Sequence, residues 1–130
     1  MRSFLLSALA LSLATAGVPA HASGGAGAPH LVTMDELAVP IVDGARADGT
    51  LRFQLVLEAK DEGAAHALTA ALPLLRAAAL SEGLEFARLY ASPRLPVDAR
   101  RLASRLTAAL QAQKPGIARV LIVKVMAVPA

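Results

Sequence analysis

The chain has 130 residues, with 13 Lys plus Arg against 10 Asp plus Glu, and it contains no Cys and no Trp. Without cysteine it can form neither a disulfide framework nor a lipoprotein attachment site. The charge is close to balanced and aromatic residues make up only 3% of the chain. A nucleic-acid-binding surface needs clustered cations and usually aromatic stacking platforms, so the composition does not indicate a nucleic-acid partner.

The amino terminus has the pattern of a secretory signal. Arg2 precedes an uncharged, Leu- and Ala-rich run over 4–18, and the small residues Ala20 and Ala22 follow. Signal peptidase accepts only small side chains at two such positions, which predicts cleavage between Ala22 and Ser23. The alternative is an uncleaved anchor, but spanning the bilayer core takes about 20 apolar residues. We therefore expect residues 1–22 to be removed and the product to be periplasmic, with secretion as the second choice.

The mature chain is then expected to carry a short leader and one domain. Removing 1–22 takes away one cation, Arg2, so 13 − 1 = 12 basic residues face 10 acidic ones, a formal charge of +2. The glycine-rich segment 23–30 has little to bury and is predicted to be flexible. Residues 31–130 are enough for one cooperative core but not for two. No transmembrane anchor is expected after cleavage.

Three segments have the pattern of β-strands. The first runs from Leu31 to Val42 and contains Pro40, which cannot donate to a ladder, so this strand is expected at a sheet edge or broken near Pro40. The turn-rich segment 43–49 predicts the connection of a β-hairpin. From Leu51 to Lys60 apolar and largely polar residues alternate, which predicts a strand with one face covered by helices and the other solvated.

Two helices are predicted to cover that apolar face. The first begins at Asp61 and Glu62, and its apolar stripe is Ala65, Leu68, Leu72, Leu75 and Ala79. Pro73 excludes a backbone hydrogen bond, so we expect a kink, or a break with Pro73 opening a second segment. Gly83 is the expected end of this helix. Residues 84–95 are interpreted as a connector with aromatic anchors.

The second helix has Asp98 in its first turn and ends at Lys114 to Gly116. Its apolar stripe comprises Ala99, Leu102, Leu106, Ala109, Leu110 and Gln113. A last strand, from Ile117 to Val128, is apolar on both faces. It is therefore expected in the interior of the sheet, or with its outer face turned to a partner.

Two groups of residues are candidates for interaction. Ile122, Lys124 and Met126 are predicted to take part in self-association or partner binding on the sheet face away from the helices; the alternative is that the leader or the flanks of the first strand cover that face. Arg94, Arg100, Arg101 and Arg105 form a second group. They are either a contact for anionic lipid head groups or an acidic partner, or a solvated face.

No pattern of catalytic, cofactor-binding or metal-binding residues is recognised. His21 leaves with the signal, His30 lies in the leader, and His66 stands alone on the first helix, where Glu62 is placed to pair with it. The serines lie outside any Gly-x-Ser-x-Gly elbow. We expect no enzyme activity and no cofactor.

The order of these patterns resembles the periplasmic domain of the FliL family of flagellar basal-body-associated proteins. The similarity covers about 39–128 and includes the Val39-Pro40 opening, Leu51 to Glu58, the Leu72-Pro73 step and the Val-rich terminal strand. The resemblance implies a stomatin-like fold, no enzymatic activity, oligomerisation and support of a membrane motor complex. Members of that family usually keep an uncleaved transmembrane helix, and this chain departs from them in that respect.

Together these patterns predict an α+β domain with a small sheet of about three strands, covered on one face by two long helices in the order β-β-α-α-β. The expected function is that of a non-enzymatic periplasmic scaffold or accessory protein associated with the flagellar basal body. It would act through a protein partner, expected to be a membrane motor complex, and as a homo-oligomer. The alternative is a soluble periplasmic binding or adaptor module unrelated to motility.

Overall fold

One long central strand organises the fold in the computed structural model, which describes residues 27–130. The strands are β1 (His30–Thr33), β2 (Leu37–Asp43), β3 (Arg46–Ala59) and β4 (Ile117–Pro129), and the helices are α1 (Glu62–Ala70), α2 (Leu72–Tyr90) and α3 (Ala99–Gln113). All pairing is antiparallel: β4 lies along one side of β3, while β1 and β2 share the other side. The predicted α+β class is confirmed. The order is β-β-β-α-α-α-β because the first predicted strand and the first predicted helix are each divided in two.

The first strand segment divides at 34–36 and not at Pro40. Pro40 lies inside β2 opposite Thr50, and β2 pairs with β3 alone, so it is at the predicted sheet edge. A proline is tolerated there because an edge strand needs only half of its amides for the ladder. The amide of Met34 still donates to the carbonyl of Leu55 at 3.0 Å, which holds the break against the sheet. His30 begins β1 and so belongs to the domain.

The hairpin connection is shorter than predicted. Only Gly44 and Ala45 separate β2 from β3, and Gly44 has a φ of 60°, a conformation that favours glycine. Gly49, which the pattern assigned to the connection, lies within β3 opposite Ile41. A Cβ at Gly49 would collide with the carbonyl oxygen of Val128 on β4. Glycine stands there because two strands approach closely, not because the chain turns.

The predicted break at Pro73 is confirmed. The Asp61 carboxylate accepts a hydrogen bond from the amide of Ala64 at 2.7 Å and caps α1. Pro73 lies in the first turn of α2, where its missing donor removes no helical hydrogen bond, and the two helices meet at 75°. The stripe predicted for a single helix is therefore shared by two.

The prediction that the helix ends at Gly83 is wrong, and so is the interpretation of 84–95 as a connector. Helix α2 continues to Tyr90, so only 91–98 connects it to α3. A Cβ at Gly83 would lie 2.7 Å from Cζ of Phe53. The glycine lets α2 pack closely on β3, and contacts with the sheet outweigh its low helix propensity.

Helix α3 follows the prediction closely. The Asp98 carboxylate accepts from the amide of Arg101 at 3.0 Å and caps the helix. Its buried residues, Leu102, Leu106 and Leu110, belong to the predicted stripe. They complete a core in which large side chains of β3 meet those of the helices, and each contributes about 1.5 to 3 kcal/mol by burial. Its largest fully buried members include Phe53, Leu55, Leu57, Leu68, Leu75, Phe86, Leu102, Leu106 and Leu110.

Candidate interaction surface

The sheet has one face without a helix against it, which we call the outer face. Along β3 the outer face comprises the residues that alternate with the buried ones, such as Arg52 and Gln54. Their cross-strand neighbours belong to the same face: Leu31 on β1, and Leu121, Lys124, Met126 and Val128 on β4. Within the described residues, the helices contribute their buried side chains to the core beneath the opposite face. Leu31 is 50% exposed, Met126 39% and Val128 38%. The outer face therefore presents apolar side chains to solvent.

A three-residue ion cluster crosses the outer face. Glu36, from the break between β1 and β2, accepts hydrogen bonds from Nε of Arg52 at 2.7 Å and from Nζ of Lys124 at 2.8 Å. These bonds, that of Lys124 first and that of Arg52 second, hold the pKa of the Glu36 carboxyl below its ordinary value. Arg119 and Glu58 form a second ion pair on the same face. The exposed apolar side chains thus lie among fixed charges.

Lys124 and Met126 lie on the outer face as predicted, but Ile122 does not. Lys124 is opposite Gln54 and Met126 is opposite Arg52, whereas Ile122 is opposite Leu55 and packs against the core. The register shifts between these pairs because Val123 is an extra residue in β4. In a regular strand Ile122 and Lys124, two positions apart, would share a face. The bulge shifts the alternation of side chains by one residue, so they lie on opposite faces.

The predicted interior position of β4 is also wrong, because β4 pairs only with β3 and forms a sheet edge. Its apolar residues on the inner side serve the core: Ile117 and Val120 are buried, and Ile122, Val125 and Ala127 pack against it. The other predicted possibility, an outer face turned to a partner, stays a prediction.

The arginine group is divided: Arg94 lies apart from Arg101 and Arg105, and Arg100 is exposed on α3. Arg101 and Arg105 lie over the ring of Tyr90, with their Cζ atoms 4.6 and 5.5 Å from its centroid. Each also has a carboxylate partner: Nε of Arg101 is 3.7 Å from the carboxylate of Asp98, and Nε of Arg105 donates a hydrogen bond to the carboxylate of Glu82. That bond raises the pKa of Arg105. These pairs leave less of the positive charge available to a ligand than the sequence suggested.

Arg94 lies away from Arg101 and Arg105. Its guanidinium is 4.0 Å from the carboxylate of Asp48 at the start of β3. Both line a cleft of about 440 Å³ at the hairpin end of the sheet. A second cleft, of about 410 Å³, lies at the bend between α1 and α2, where Arg76 donates to the carbonyl oxygens of Asp35 and Glu36. Both clefts form where elements of the fold meet.

The predicted cleavage residues Ala20, Ala22 and Ser23 lie outside the described residues. Nε2 of His66 is 4.0 Å from Glu62, which confirms the predicted helical pair. Between 27 and 130 there is no cluster of three His, Cys, Asp or Glu side chains suited to a metal ion.

Between residues 27 and 130 no single helix is long and apolar enough to cross a membrane. Helices α1 and α2 together have the length and apolar composition of a span, but they are bent by 75°. The sequence matches none of the protein-family models or curated proteins with which it was compared. The outer face is the feature of the described residues from which a function is inferred.

Three residues with contacts at these surfaces are not identified by the sequence pattern: Glu36, Thr107 and Gln111. Glu36 gains its role by pairing with residues 16 and 88 positions away. Thr107 and Gln111 look like ordinary polar positions of α3, but Oγ1 of Thr107 accepts from the amide of Val120, and Nε2 of Gln111 donates to the carbonyl oxygens of Ile117 and Ala118 on β4. No local signal marks any of the three. Tyr90, predicted as an aromatic anchor of a connector, lies at the end of α2 beside Arg101.

Proposed function

We propose that the exported chain is a non-enzymatic periplasmic scaffold or accessory protein that binds a protein partner through the outer face of its sheet. The observation that carries this proposal is the set of exposed apolar side chains, Leu31, Met126 and Val128, lying among ion pairs on a face that no described helix contacts. Apolar residues surrounded by charged ones are typical of protein contact surfaces.

The charges on the outer face suit a partner that carries carboxylates. Three cations, Arg52, Arg119 and Lys124, share two carboxylates, Glu36 and Glu58. A partner carboxylate could bond the donors that these glutamates leave free, while apolar partner residues cover Met126 and Leu31. Such complementarity fixes orientation more than it adds affinity.

The resemblance to FliL domains supports a more specific version, in which the partner belongs to the membrane motor complex of the flagellar basal body. Export by the predicted signal would deliver the domain to the periplasmic side of that complex. A soluble binding module unrelated to motility is the alternative, and one experiment separates the two.

The experiment is deletion of the gene in the organism that makes the protein, followed by measurement of spreading in soft agar. Complementation would use the wild type, Leu31→Lys on the outer face, and Leu84→Lys on α2 as a matched control. Leu31 and Leu84 are 50% and 47% exposed, so both substitutions are expected to fold. We expect deletion to reduce spreading, and the wild type and Leu84→Lys, but not Leu31→Lys, to restore it.

A photo-crosslinking residue at Met126, with Leu84 as control, would identify the partner. Crosslinks to a motor protein from position 126 alone support the specific version. Unchanged spreading combined with position-specific crosslinks to another periplasmic protein indicates the adaptor module. Equal crosslinking from both positions, with no effect of Leu31→Lys, would overturn the proposal.

A further inference from the structure

The free edge of β4 is closed at one end and open at the other. Near its start, the amide of Val120 donates to Oγ1 of Thr107 at 3.3 Å, and Nε2 of Gln111 donates to the carbonyl oxygens of Ile117 and Ala118, both at 3.1 Å. These three backbone groups bond to side chains of α3 and not to a neighbouring strand. Side chains of α3 therefore protect the start of β4 at Ile117, Ala118 and Val120.

From Leu121 to Val128 the edge has no such protection within the described residues. No described side chain bonds to the backbone of this segment, and β4 has β3 as its one strand partner there. The opposite edge of the sheet is divided into two short strands and carries a proline, features that discourage strand addition. A row of free backbone donors and acceptors on a β-branched segment is a template for another strand.

We propose that a second copy of this chain pairs with the open part of β4, antiparallel and about a two-fold axis at Val125, so that the two sheets become continuous. Each copy would offer the same segment, 123–127, as symmetric association requires. This inference rests on the proposed function in that it names one partner of the domain. The pairing uses the backbone of the sheet edge, and the outer-face side chains Lys124 and Met126 lie beside it.

Charge disfavours a neighbouring register. Arg119 and Lys124 are the ionic side chains of β4, and both are cations. With the axis at Val125, Lys124 is opposite Met126 of the second copy, and the two lie on the same face, as antiparallel pairs must. An axis at Lys124 would set two ammonium groups against each other, which is destabilising.

The exposed residues around the axis are suited to such a contact. Val123 is 58% exposed at the bulge and would be opposite Ala127 of the second copy. On α3, the residue one turn before Thr107 on the same side is Ala103, a small side chain. At this position α3 has no polar side chain that could bond to the edge, in contrast to Thr107 and Gln111.

The first test compares two charges at one position. Met126→Glu would place a carboxylate opposite Lys124 of the second copy, while Met126→Lys would place an ammonium there, and the site is exposed enough for both variants to fold. Because symmetry creates two such pairs, we expect dimer affinity, measured by sedimentation velocity, to rise about fivefold for Met126→Glu and to fall about fivefold for Met126→Lys. Similar changes in both variants would overturn this register.

The second test uses the absence of cysteine from the chain. Val125→Cys would bring two thiols together at the axis, whereas Ala118→Cys lies on the part of the edge that Gln111 closes. Under mild oxidation of the full purified mature chain, we expect a disulfide-linked dimer from the first variant and at least about tenfold less from the second.

The inference would be overturned by a wild type that stays monomeric at all concentrations, together with equal crosslinking of the two cysteine variants. That result would also be expected if another part of the same chain covered the edge. Both measurements use purified protein and report only self-association. Their failure would leave the motility and partner-crosslinking results unaffected, so the two proposals fail separately.

Discussion

The two faces of β3 differ although one backbone carries both. On the inner face Leu51, Phe53, Leu55 and Leu57 are fully buried, while on the outer face the side chain of Arg52 is 49% exposed. Successive residues of a strand point to opposite sides, so one step along the chain separates a core position from a surface position. Stability is concentrated on the inner face. The outer face carries ion pairs and exposed side chains.

The largest effect on stability is expected from a charge placed on the inner face of β3, compared with one placed on the outer face. We expect Leu55→Asp to abolish folding, because an unpaired carboxylate would be buried among apolar side chains at a cost of about 4 kcal/mol or more. Gln54→Asp should change the free energy of unfolding by less than about 0.5 kcal/mol, since position 54 is opposite Lys124. Thermal melts followed by circular dichroism measure both. Equal loss would mean that both faces are buried.

A smaller effect is expected from filling the close contact beneath the inner face. Gly83→Ala would set a methyl group 2.7 Å from the buried ring of Phe53, and overpacking of this kind costs about 1 to 3 kcal/mol. Gly63→Ala in α1 is the control, because its Cβ would meet only the Asp61 carboxylate, at 3.4 Å. The control should be neutral or stabilising by up to about 1 kcal/mol through helix propensity. Urea unfolding separates them; a stabilised Gly83→Ala would contradict the close packing of α2 on β3.

The smallest effect should come from the outer face and should depend on pH. The folded-state pKa of Glu36 is lowered, chiefly by its hydrogen bond from Lys124, so its ionised form favours folding above the unfolded-state pKa. That contribution is present at neutral pH and is lost as the pH falls through the folded-state pKa. We therefore expect Glu36→Gln to lower the urea midpoint at pH 7, and the difference from wild type to disappear in acid.

Lys124→Met provides the control for that measurement. With Lys124 removed, Glu36→Gln should have a smaller effect at pH 7, because the two substitutions share one interaction. The lowered pKa of the Glu85 carboxyl is due to Arg88 on α2, so it contributes equally to all these proteins and cancels in the difference. Additive effects of the two substitutions would show that the cluster is not coupled.

Most elements could be predicted because their signals are local. Alternation identified β3, the acidic caps Asp61 and Asp98 marked two helix starts, and Pro73 marked the break between α1 and α2. Gly83 and Gly49 were misread for one reason. Glycine allows a chain to turn and also allows two elements to approach closely, and only the neighbour across space, Phe53 or Val128, distinguishes these uses.

The α+β class, the apolar face of β3 and the helical stripes follow from local sequence, because side-chain periodicity and backbone sterics act between near neighbours in the chain. Three features depend on tertiary contacts: the position of β4 at an edge, the bulge at Val123 that separates Ile122 from Lys124, and the joining of Arg52 and Lys124 by Glu36. Each depends on strand register, which is set by contacts between residues far apart in sequence and leaves no local pattern.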